Sequence, residues 1–150
     1  MTCCRPAQPD EPGDSPKIPP PALLKFSETD PAVTIGTCQE LDQMLHKTQL
    51  RCAPNHSLVV TLYVHGHRLE IGLGLPQSFV TVQRCDPTPG PILISIGNAR
   101  ADWGVAFFFC GWHRIEVSQR NLLPAGAARQ IFTEFFENGL RSTNVEREAL

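Results

Sequence analysis

From Ser57 to Leu73 the apolar residues recur at every second position, and a period of two is the signature of a strand that buries one face. Leu58, Val60, Leu62 and Val64 alternate with Val59, Thr61, Tyr63 and His65, and Gly66 then offers a turn. The return strand carries Leu69, Ile71 and Leu73 on one face with Arg68 and Glu70 on the other, and breaks over Gly72-Leu73-Gly74-Leu75-Pro76. Further strands are expected at Ser78 to Gln83, Ile92 to Ile96, Val105 to Cys110 and His113 to Val117, separated by the Gly, Pro, Asp and Asn that turns require. A short strand is expected to end the chain around Asn144 to Glu146. Strands joined by such short connections pair antiparallel, because a parallel pair needs a long crossover.

Two segments switch to the helical period. Thr37-Cys38-Gln39-Glu40 has the spacing in which a hydroxyl and a carboxylate each satisfy a free amide at a helix start, and Leu41, Met44 and Leu45 continue one apolar stripe toward Arg51. Pro124 suits the first turn of a second helix, in which Ala128, Ile131, Phe132 and Phe135 share a face. Asn138-Gly139 supplies a left-handed stop, after which Leu140 is expected to fold back on Phe135. The expected fold is α+β, a mainly antiparallel sheet of five to seven strands covered on one face by two helices.

Eight of the fourteen prolines fall within the first 31 residues, mixed with Asp, Glu, Ser and Gly. That stretch lacks both backbone donors and a burial pattern, so residues 1–21 are expected to be a disordered leader and residues 22–150 a single domain. With hydrophobic residues at 41% and charged residues at 19%, the remainder is long enough and apolar enough to close a core. Thirteen Lys and Arg against fifteen acidic residues leave a net charge of −2 with no cationic cluster, which argues against direct nucleic-acid binding. Six cysteines without regular spacing read as free thiols. The first residues lack the apolar core of a signal peptide and no run is long enough to span a membrane, so the expected compartment is the cytoplasm.

Motifs for chemistry are sparse. His65, His67, Cys110 and His113 are residue types that zinc accepts, but their spacing matches no strong zinc pattern. No Gly-rich phosphate loop and no deaminase-type His-x-Glu with Pro-Cys-x-x-Cys occurs. The stretch from Asn98 to Gly104 is more suggestive, since it sets Arg100, Asp102 and Trp103 on a connection between two apolar strands, and Trp112 follows Gly111 in the next turn. Tryptophan buries a large area at small entropic cost, which suits a partner-binding anchor, although each ring has the alternative of folding into its own core.

From about Ala32 onward the chain resembles immunity protein family 1 of bacterial polymorphic toxin systems. The resemblance rests on Glu40-Leu41-Asp42 near the start of the leading helix and on Gly72-Leu73-Gly74 at the hairpin's end. It is strongest from Ile115-Glu116-Val117 through Asn121-Leu122-Leu123-Pro124, Ala127-Ala128-Arg129 and Glu134-Phe135-Phe136-Glu137-Asn138-Gly139. It implies a cytoplasmic immunity protein that binds a cognate secreted toxin domain one to one, many such toxins being nucleic-acid deaminases, and blocks its active site without catalysis or a cofactor. Arg100, Asp102, Trp103 and Trp112 are then the candidate contacts. Two alternatives stand beside this reading: a small enzyme assisted by a metal on His65, His67, Cys110 and His113, and an oligomeric scaffold that uses an exposed sheet edge.

Overall fold

The central hairpin forms as its alternation dictates. In the computed structural model, which describes residues 22–27, 29–52, 56–101, 103–139 and 146–150, β3 (Leu58–Val64) and β4 (His67–Leu73) pair antiparallel from Leu58 opposite Leu73 to Val64 opposite His67. His65 and Gly66 make the two-residue turn with φ of 51° and 71°, the left-handed pair that matches the twist of the flanking strands.

Around this hairpin the sheet grows in both directions. On one side come β6 (Val80–Arg84), β7 (Leu93–Ile96) and finally β11 (Glu146–Ala149), each antiparallel to its neighbour. On the other side β1 (Ala22–Lys25) pairs with β3, and β2 (Val33–Ile35) pairs with β1. A second hairpin, β8 (Val105–Cys110) and β9 (His113–Ser118), joins the ladder of β3 where Phe109 lies parallel beside Leu58. The short strands β5 (Gln77–Ser78) and β10 (Leu123–Pro124) form a separate pair.

The α+β class is as expected, but among the described residues the main sheet has nine strands rather than five to seven. The unforeseen pair is β1 and β2, too short to display a period and next in sequence to the Pro-rich residues 1–21. Tertiary packing gives β1 its conformation: Ala22 and Leu24 are buried in the core beneath the helices. Residues 1–21 and the fold-back of Leu140 lie outside the described residues.

Both helices lie on one face. α1 (Cys38–Arg51) opens with Thr37 Oγ1 accepting the Glu40 amide at 3.1 Å, while Glu40 Oε2 accepts the Gly36 amide at 2.9 Å. This is the reciprocal cap implied by the sequence, with the carboxylate reaching one residue further back. α2 (Ala125–Asn138) follows directly on Pro124 and ends at Gly139, whose φ of 62° lets its amide bond back to Phe135 at 2.8 Å. Leu41 and Leu45 of α1 and Ala128, Ile131, Phe132 and Phe135 of α2 pack on Val60, Leu62, Leu69, Ile71, Val80 and Val82 to make the main core.

The opposite face is shared between two environments. Where β8 and β9 fold across it, Val59, Phe79, Ile94, Phe108, Val117 and Leu122 form a second core, which explains why Val59 is buried although it points away from the helices. Gly72 makes this docking possible. A Cβ there would stand 2.4 Å from the Phe108 ring and 2.8 Å from that of Phe79, rings that meet edge to face with centroids 4.9 Å apart. The rest of the face is polar, with Thr61, Glu70 and Thr81 in one cross-strand row, both threonines buried, and Arg68 paired to Glu70.

A polar knot holds the far edge. Ser95 Oγ donates to the Asn121 carbonyl at 2.9 Å, and Asn121 Nδ2 donates to the Ser95 carbonyl at 2.9 Å and to Glu148 at 2.8 Å. Arg120 closes it on Glu148 at 2.7 Å. Asn121, in the 3₁₀ turn Gln119–Asn121, thus ties β7 to the terminal strand.

Candidate partner-binding surface

The segment Val105-Ala106-Phe107-Phe108-Phe109-Cys110 is apolar at every position, so whichever face a strand of this composition buries, the other remains apolar. In β8 the face turned to the second core carries Phe108, while Val105, Phe107 and Phe109 point to solvent with 49%, 40% and 40% of their surface exposed. Scattered exposed apolar residues are ordinary, but a row of them along one strand is a patch, and patches mark contact surfaces. The Arg114 guanidinium sits 4.7 Å above the Phe107 ring from the neighbouring strand, placing a cation within the patch.

The two tryptophans extend the row at its ends. Trp103 precedes β8 and is 87% exposed, and Trp112 occupies the second position of the two-residue turn after Gly111 (φ 59°) and is fully exposed. Neither ring folds into the core, so packing inward is not the role of either residue. The hairpin register, from Val105 opposite Ser118 to Cys110 opposite His113, puts them at opposite strand ends. Arg100 is also exposed, its amide donating to Asn98 Oδ1 at 3.1 Å, whereas Asp102 lies outside the described residues. Sequence reasoning missed Phe107 and Phe109, although the unbroken apolar run held the signal.

Beside Trp112 the patch turns into a groove of about 970 Å³ between the end of α1 and the β8–β9 turn. Phe26, Met44, Leu58 and Phe109 line it, and Lys47 and Arg51 stand among the α1 residues along it. Cys52 also borders the groove, and burial pushes its thiol up from the usual cysteine range, which keeps it protonated and a poor nucleophile.

The four zinc-type residues do not converge. His65 Nε2 meets the Phe136 carbonyl at 3.0 Å, and His67 Nδ1 meets the His65 carbonyl at 2.8 Å while its ring packs edge-on against Phe135. Both lie at the β3–β4 turn, whereas Cys110 and His113 close the β8–β9 turn beside the other end of β3, roughly 20 Å away for a seven-residue strand. Among the described residues no three His, Cys, Asp or Glu are grouped to hold a metal ion. No helix among them is long and apolar enough to cross a membrane.

The arrangement is a two-stranded platform, braced by its own core, that presents aromatic rings to solvent. The family model of immunity protein Imm1 matches residues 29–149, and the chain belongs to the immunity protein Imm1 family. No curated protein matches it. The matched span leaves out β1 and takes in the whole second hairpin.

Proposed function

We propose that the chain neutralises a cognate secreted toxin domain, a nucleic-acid deaminase, by binding it one to one and covering its active site in the cytoplasm of the producing cell. The observation that carries this reading is the exposed apolar row Trp103, Val105, Phe107, Phe109 and Trp112, four of them aromatic, on a hairpin that spends its other face on a core. Aromatic anchors of this kind dominate binding energy because they desolvate much area while losing few rotamers. Glu116, exposed on the same hairpin, and Asp102 in the preceding connection supply acidic groups. These suit the cationic groove with which a nucleic-acid-modifying enzyme holds its substrate. Arg100, Asp102 and Trp103 form one end of the contact surface and Trp112 the other.

The test is a titration against the toxin domain encoded beside this gene, paired with co-expression in cells that the toxin would kill. Trp103→Ala and Trp112→Ala are each expected to weaken binding by about 2 kcal/mol or more and to leave the melting temperature unchanged, because neither ring contributes to a core. Undiminished affinity in the folded double variant removes this surface from consideration. Removal of residues 1–21 is expected to spare both protection and stability, since that stretch has too little apolar area to offset the entropy of ordering it. A folded truncation that no longer protects would move the contact into the leader.

A further inference from the structure

Among the described residues β9 is paired on one side only, with β8. The two-residue turn makes Cys110 and His113 a hydrogen-bonded pair, and such pairs alternate along an antiparallel ladder. Ile115 and Val117 therefore bond to β8, and Arg114 and Glu116 turn their backbone N–H and C=O groups outward. Two contacts carry the same parity: the Gln119 amide donates to the Gly104 carbonyl at 2.9 Å, and the Phe109 amide points the other way, to the Ser57 carbonyl at 3.2 Å.

The edge so exposed is complementary to itself. Laid antiparallel on a second copy about a two-fold axis through Ile115, Arg114 stands opposite the partner's Glu116, and Glu116 opposite the partner's Arg114. Those are also the residues whose outward backbone groups would meet. Extended through the known register, the outer face gains the row Phe109, Arg114, the partner's Glu116 and the partner's Phe107, together with its symmetry mate. Rings then flank each ion pair and limit its exposure to water. Charged side chains on an edge strand oppose pairing when like charges would meet across the new ladder; here the two charges are opposite and placed symmetrically about the strand's centre, so each meets its complement.

We propose that free protein pairs through β9 with β9 of a second copy, joining the two hairpins into one four-stranded ribbon. A strand from an unrelated partner would have no use for this symmetry, which is why a second copy is the favoured occupant. Six edge residues bury less than a permanent dimer needs, so the association is weak and concentration-dependent. Pairing runs in the plane of the ribbon and leaves its outer face open, so the proposal does not rest on the toxin-binding reading.

Sedimentation equilibrium of the full chain without toxin tests it, from micromolar to millimolar concentration. The average mass is expected to rise from that of one chain toward that of two, and the Arg114 and Glu116 amides to gain protection from hydrogen exchange over the same range. Arg114→Glu alone and Glu116→Arg alone each turn two attractive pairs into two repulsive ones and should weaken self-association about tenfold or more. Mixing the two variants restores both attractions and should yield a heterodimer, and the double exchange should restore the homodimer, with circular dichroism confirming folded chains throughout. The proposal is overturned if wild-type protein stays monomeric up to millimolar concentration, including the case in which the β9 amides become protected only when toxin is added. It is overturned equally if the dimer persists undiminished in both single variants.

Discussion

Truncating Phe132 or Phe135 to alanine is expected to cost roughly 3–5 kcal/mol, the sum of lost burial and the cavity that remains. Both rings are essentially inaccessible to solvent, at 0% and 2% exposure, and both sit where α2 crosses the sheet. Collapse cannot fill the gap. Phe132 is held among side chains that rise from strands fixed by their own ladders, and Phe135 is pinned between the sheet and the edge of the His67 ring. Chemical denaturation of each variant checks the figure. An unchanged midpoint in both would mean that this helix face does not carry the core.

The second large effect is expected at Gly72. A valine there drives its branched carbons into the Phe79 and Phe108 rings, which a mere Cβ already approaches to 2.8 and 2.4 Å. The rings cannot retreat without lifting the β8–β9 hairpin off the sheet, so overpacking should cost about 3 kcal/mol. Unlike the α2 truncations, this change is expected to damage recognition out of proportion to stability, because the part displaced is the platform that holds Phe107 and Phe109 outward. Tryptophan fluorescence, reporting Trp103 and Trp112 at the two ends of that platform, together with toxin affinity and a melting curve, separates the outcomes. A Gly72→Val protein with wild-type stability and wild-type affinity would show that the hairpin tolerates movement.

How far the sequence could be read depended on whether local pattern or distant packing decided each element. The β3–β4 hairpin, both helices and the cap at Thr37 were legible because period, turn residues and capping groups act over a few positions. Ala22 to Lys25 was not, since four residues after a proline run acquire strand geometry only from the ladder with β3. The sequence also showed that Trp103 and Trp112 belong to connections flanking one strand, but not which way they point. Direction depends on the second core, and that core is assembled from Val59, Phe79, Ile94, Phe108, Val117 and Leu122, residues scattered over some sixty positions. Phe107 and Phe109 were missed for the same reason: three consecutive phenylalanines look like core until one knows that only Phe108 has a face to bury against.

The sheet that separates the two cores also separates two kinds of physical constraint. Residues between sheet and helices, with Leu41, Ile71 and Phe132 among them, decide whether the chain folds, whereas those on the outer side of β8 and β9 meet no core at all. Substitutions more than about 7–10 Å apart without shared partners act nearly additively. If the hairpin makes the contact proposed above, Val105, Phe107, Phe109, Arg114 or Glu116 can be exchanged to suit a changed toxin without compensating mutations beneath the helices. On the proposed reading the hairpin is the part of the molecule that is free to keep pace in an arms race, and the β-sheet backbone insulates the rest from its turnover.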